Sequence, residues 1–160
     1  MRFRNLTKTE LEALSEELVQ FLIVQGIDDD LWREMNQKSP EKAIELVALF
    51  SDTVLEKVYS KVRYLSFISE QIFSVFKIDG GTMHAVVMKN KASNSAFKDL
   101  QHVIEISTSK TAVPYEVMSA TRELDEKILD EIHRLTEQGC LVADQELWMH
   151  FERYHKNEVN

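Results

Sequence analysis

The sequence predicts an α+β fold: N-terminal helices, a small antiparallel sheet of about three strands, then C-terminal helices. Three observations carry this reading. Between Val62 and Lys89 the runs VRYLSFIS, IFSVFKI and TMHAVVMK are rich in the β-branched and aromatic residues that suit a pleated surface. The last two are separated by Asp79-Gly80-Gly81, a strong hairpin-turn signal. The segments on either side repeat their apolar residues at helical intervals, so strands and helices are grouped rather than alternated as a parallel sheet would need. With 160 residues, 44% of them hydrophobic, and only four glycines and two prolines, the chain is expected to form one domain over residues 1–160.

Taken in order, the first helix opens at Thr7-Lys8-Thr9-Glu10, a capping-box spacing in which hydroxyl and carboxylate satisfy each other's backbone N–H groups. Leu11, Leu14, Leu18, Phe21 and Leu22 form its apolar stripe, and Gly26 is its natural stop. Asp28, Asp29 and Asp30 put negative charge at the start of a shorter helix bearing Leu31, Trp32 and Met35. A calcium loop would need alternating oxygen ligands, a central glycine and a terminal glutamate, a pattern this triplet does not continue. Ser39-Pro40 begins a third, long helix with Ile44, Val47, Ala48, Val54, Leu55 and Val58 on its stripe.

The strand runs carry apolar residues on both faces, which predicts a sheet covered on both sides, one face by the preceding helices and the other by later helices or a second subunit. Beyond them, residues 90–95 read as a polar turn, Phe97, Leu100 and Ile104 as a short helix, and Ser107 to Lys110 as a loop. From Pro114 a second long helix is expected through Val117, Thr121, Leu124, Ile128, Ile132 and Leu135, ending near Gly139. Asp144 then caps a final helix with Leu147, Trp148, Phe151 and Tyr154.

Charge narrows the choice of partner. The net charge of −8 divides evenly, with ten basic and fourteen acidic residues in the first half and nine and thirteen in the second. An evenly negative surface repels phosphate backbones and anionic lipid, so neither nucleic acid nor membrane is expected as a partner. Arg2, Arg4 and Lys8 form a small basic end, read as solvated terminus. The lone Cys140 excludes an intrachain disulfide and, in its apolar Gly-Cys-Leu-Val setting, reads as a buried structural thiol. Without an apolar run of about 18 residues or a signal-peptide core, the chain is expected in the cytoplasm.

Candidate chemistry is sparse. Glu126, Asp130 and His133 are spaced to share one helix face and are the candidate catalytic cluster, with Asp130 and His133 resembling half of a di-iron carboxylate motif. That motif requires glutamate where Asp130 stands and a second copy elsewhere, so no metal or cofactor is expected. His150 and His155 are five apart and diverge around a helix, and His84 alternates with its neighbours as a cross-strand residue. Ser107, Thr108, Ser109 and Thr111 form a hydroxyl cluster suited to a loop. Leu135 to Tyr154 has the outline of a helix-turn-helix, but its second helix, DQELWMHFERYH, carries three acids and one arginine and is unsuited to DNA. Trp148, Phe151 and Tyr154 are core anchors and the interface candidates.

Across nearly its whole length the chain resembles an uncharacterised family of small, acidic bacterial proteins, a domain of unknown function. The resemblance lies in LTKTELEAL, in LFSDTVLEKVYSKVRYLSFIS leading into IFSVFKI, and in the ending LTEQGCLVADQELWMHFERY. It implies a cytoplasmic single-domain protein and brings no activity with it. The leading functional expectation is a noncatalytic interaction or regulatory module with a protein partner or a second copy of itself. A small metal-dependent or hydrolytic enzyme using the carboxylate and histidine cluster is the alternative, and an acidic antitoxin or immunity-type protein is a third reading that fits the charge.

Overall fold

The computed structural model describes residues 1–91, 96–109 and 115–159. The chain, expected from its length as one domain, divides into two compact units, residues 1–60 and 61–160.

The first unit is helical: α1 (Lys8–Ala13), α2 (Ser15–Val24), α3 (Asp29–Lys38) and α4 (Pro40–Ser60). The Thr7/Glu10 capping box forms in both directions, Glu10 N–H donating to Thr7 Oγ1 at 3.2 Å and Thr7 N–H to Glu10 Oε1 at 2.8 Å. Arg4 grips the same carboxylate at 2.8 and 3.1 Å, and these hydrogen bonds hold Glu10 down at a pKa of about 2. The N-terminal segment is strapped to α4: Arg2 and Phe3 donate their N–H groups to the Asp52 carboxylate, and Leu6 N–H donates to the buried Ser51 Oγ. Leu22, Ala43, Phe50 and Leu55 supply the core, with the Phe21 and Phe50 rings 5.4 Å apart.

The second unit is built on a five-stranded antiparallel sheet. Its elements are β1 (Tyr64–Ile68), β2 (Ile72–Asp79), β3 (Thr82–Asn90), α5 (Leu100–Thr108), β4 (Tyr115–Glu123), a 3-10 turn (Asp125–Lys127), α6 (Ile128–Glu137), β5 (Leu141–Val142) and α7 (Gln145–Val159). The strand order is β4-β3-β2-β1-β5. The registers place Ile68, Phe73, Met88 and Val117 in one cross-strand row, and Ser66, Val75, Val86 and Ser119 in the next. Helices α5 and α7 cover this face, burying Val103, Ile106, Leu147, Trp148 and Phe151 against Phe73, Val75, Val86 and Met88. Phe151 is fully enclosed, its ring 4.6 Å from that of Phe73. Side chains of this size each stabilise a fold by about 1.5–3 kcal/mol through burial. The opposite face meets α6, where Phe67, Ser74 and Phe76 surround a 200 Å³ cavity with Leu135 and Cys140.

Several expectations need correction. The sheet has five strands rather than about three, because Tyr115–Glu123 is β4 and not the first part of a long helix. Val117, Thr121 and Leu124 fit a helical period, but Tyr115 and Val117 also alternate with Glu116. The nine-residue ladder with β3, from Tyr115 opposite Asn90 to Glu123 opposite Thr82, decides the outcome. Only Ile128–Glu137 keeps the expected helical form. The first helix breaks at Leu14, whose φ of −107° and ψ of 24° separate α1 from α2. Ser107 and Thr108 close α5 instead of forming a loop, and Asn90 ends β3. The remainder of the expected 90–95 turn beyond Lys91, together with Lys110, Thr111 and Pro114, lies outside the described residues. The outlined helix-turn-helix is interrupted by β5, so α6 and α7 flank a strand rather than a tight turn. Asp144 caps α7 as expected, accepting from Leu147 N–H at 2.9 Å, and Asp28, expected only as negative charge at the start of its helix, caps α3 by accepting from Leu31 N–H at 2.8 Å.

Candidate functional site

Strand β5 is only two residues long and sits at the end of the sheet, so it cannot bury its own side chains: Leu141 and Val142 are 70% and 71% exposed. Beside it opens a concavity of about 610 Å³. Leu100 and Ile104 line it from α5, Ser66 from β1, Leu141 and Val142 from β5, Ala143 and Asp144 from the connection, and Glu146, Leu147 and His150 from α7. The lining is mainly apolar, with two carboxylates and one imidazole. The adjoining backbone has an open side. Ala143 N–H donates to the Tyr64 carbonyl at 3.0 Å, in phase with the Leu141–Ser66 pair, so antiparallel alternation turns the N–H and C=O of Val142 away from β1.

One polar contact in this region invites a catalytic reading. Ser107 Oγ lies 2.6 Å from His150 Nε2, the geometry of a serine activated by a base. The serine proton, however, goes to the Ile104 carbonyl at 2.7 Å, and a carbonyl can only accept. His150 therefore donates from Nε2 to the serine oxygen, and the contact ties α5 to α7. Burial, aided by the nearby Arg153 charge, lowers the His150 pKa below its ordinary value and favours the neutral ring. Sequence reasoning set His150 beside His155, from which it diverges, and missed Ser107 as its neighbour, because a contact across 43 residues leaves no local signal.

The carboxylate and histidine candidates are placed differently from their sequence spacing. Glu126 lies in the 3-10 turn, while Asp130 and His133 lie on α6, so the three do not share one continuous helix. Asp130 is exposed and His133 half-buried. No group of three or more His, Cys, Asp or Glu residues able to hold a metal ion occurs among the described residues. The organised charge here belongs to Glu131, which takes Arg134 Nε at 2.9 Å and Arg122 at 3.1 Å. These arginines, Arg134 foremost, hold its carboxyl below the usual range. The Glu131-x-x-Arg134 spacing was a legible helix pair; the cross-link to β4 was not.

Trp148 and Phe151 are closed into the unit's own core, and Tyr154 packs half-buried at its margin. His84 is a half-buried cross-strand residue, its Nδ1 3.1 Å from Thr121 Oγ1. Cys140 is buried, and that burial raises its thiol pKa. No helix among the described residues is long and apolar enough to cross a membrane.

These features define an α+β protein in which an antiparallel sheet, clad by helices, presents an apolar groove beside a short edge strand. The chain belongs to the family of unknown function DUF6495, whose model matches residues 1–156. No curated protein and no solved structure matches it.

Proposed function

We propose that this protein is a noncatalytic interaction module of the bacterial cytoplasm, whose β5 groove receives an extended, apolar segment of a partner protein carrying a lysine or arginine. The observation that carries the reading is the coincidence of exposed Leu141 and Val142, the 610 Å³ concavity beside them, and the outward backbone of Val142. An added strand could take main-chain hydrogen bonds from Val142 and lay alternate side chains into the groove. Asp144 and Glu146 line the same groove on a chain of net charge −8, and this favours a basic residue next to the apolar ones. The Ser107–His150 contact ties two helices together and supplies no free nucleophile, which weighs for binding over hydrolysis.

The test is a selection of displayed random linear peptides on the wild-type protein, with Leu141→Asp as the counter-target. Because Leu141 is 70% exposed, the substitution should leave the fold intact. Enriched peptides should combine apolar residues with Lys or Arg and lose about tenfold or more in affinity for Leu141→Asp. Failure to enrich, or binders indifferent to Leu141→Asp, would overturn the proposal.

A further inference from the structure

At the opposite end of the sheet from β5, the outer strand is of another kind. Strand β4 runs nine residues, pairs with β3 without a bulge from Tyr115 to Glu123, and has Ser119 through Glu123 exposed. Natural edge strands are commonly shortened, bulged, or marked with proline or lysine to discourage pairing with another chain. The β4 sequence, YEVMSATRE, has no bulge, proline or lysine, and its charges, Glu116, Arg122 and Glu123, are of both signs, so they can attract a second strand as well as repel one.

The hydrogen-bond phase of this edge follows from the ladder. Asn90 N–H donates to the Gln71 carbonyl, so even-numbered residues of β3 face β2 and odd-numbered ones face β4. Their partners on β4 are Glu116, Met118, Ala120 and Arg122, and Leu124 N–H continues the same phase to the Gly81 carbonyl. Tyr115, Val117, Ser119, Thr121 and Glu123 therefore turn their N–H and C=O groups outward.

We infer that this edge pairs with the same edge of a second copy, antiparallel, with the two-fold axis through Ser119, joining two sheets into one. In that register the outward residues meet in hydrogen-bonding pairs, Val117 opposite Thr121 and Ser119 opposite itself. The residues between them meet in the closer, non-hydrogen-bonded pairs, which place Glu116 opposite Arg122 of the second copy, twice across the axis. This register overlaps all nine residues. A slip by two residues in either direction sets Glu116 or Arg122 against an uncharged residue and loses both ion pairs. The strand is thus complementary to itself in length, hydrogen-bond phase and charge, as an isologous interface requires.

The experiment is the mass in solution, by light scattering and sedimentation, from micromolar to hundreds of micromolar protein. Wild type should reach twice the 18.6 kDa chain mass. Ser119→Pro removes an outward N–H and leaves the bonds to β3 in place, so it should be monomeric with an unchanged circular dichroism spectrum. Glu116→Arg and Arg122→Glu each set like charges across the axis and should each weaken the dimer by about tenfold or more. An equimolar mixture of these two variants restores both opposite-charge pairs and should recover the dimer mass. A monomeric wild type at the highest concentration, or a dimer indifferent to Ser119→Pro, or variants that do not recover on mixing, would overturn the inference.

Discussion

Replacing Gly81 with alanine tests the contact between the β2–β3 turn and the 3-10 turn that carries the chain from β4 into α6. A Cβ on Gly81 would lie 2.6 Å from Asp125 Cα and 3.0 Å from its backbone nitrogen. Backbone cannot swing aside as a side-chain tip can, so the 3-10 turn must withdraw by roughly 1 Å to restore ordinary contact. That movement pulls on two hydrogen bonds, since the Gly81 carbonyl accepts Leu124 N–H at 2.8 Å and Asp125 N–H at 2.9 Å. At about 1 kcal/mol each, their loss amounts to about 2 kcal/mol, and residual crowding brings the expected cost to about 2–3 kcal/mol. The neighbouring Gly80 is the control. It has a φ of +61° and open space where a Cβ would go. Asparagine tolerates that conformation, so Gly80→Asn should cost less than about 1 kcal/mol. The assay is urea unfolding followed by Trp148 fluorescence in a Trp32→Phe background, which leaves one of the two tryptophans to report on the sheet-bearing unit. A Gly81→Ala midpoint at or above that of Gly80→Asn, with equal slopes, would refute the reasoning.

Other outcomes follow from the same structure. Phe151→Ala, at a fully buried ring packed on Phe73, should cost about 3–5 kcal/mol in the same unfolding assay. The lowered pKa of His150 means that the unfolded chain binds its proton more readily than the folded one. The stabilisation this provides is full above the unfolded value near 6.5 and is lost as pH falls through the lower folded value. Melting curves between pH 7 and pH 5 should show that loss, and His150→Gln should reduce its slope; an unchanged slope would contradict the assignment. Burial and a raised pKa make Cys140 a slow thiol, so its alkylation in the folded protein at neutral pH should lag well behind that in urea.

The elements legible in the sequence were those whose signals are local. The Thr7/Glu10 capping box, the stop at Gly26, the Asp144 cap and the Gly80-Gly81 hairpin each depend on residues within a few positions of one another, and each formed as read. Strand β4 was misread because Val117, Thr121 and Leu124 satisfy a helical period, while the nine-residue partner that makes Tyr115–Glu123 a strand ends 25 residues before it, at Asn90. Strand β5 escaped because two residues carry no periodicity. The same reason hid the candidate groove: Ser66, Leu100, Leu141 and His150 come from four elements, and only the sheet order brings them together. Conversely, Glu126, Asp130 and His133 drew notice through spacing that assumed a continuous helix, and the left-handed Asp125, with a φ of +48°, opens the turn that breaks it.

The groove reading is tested most directly by titrating a peptide from the wild-type selection into isotope-labelled protein and mapping the amide shifts. Saturable shifts should concentrate at Ser66, Leu100, Ile104, Leu141 to Leu147 and His150, with the Val142 amide shielded from exchange as it enters a new ladder. Saturable shifts centred on another surface, with Leu141 and Val142 unmoved, would contradict it.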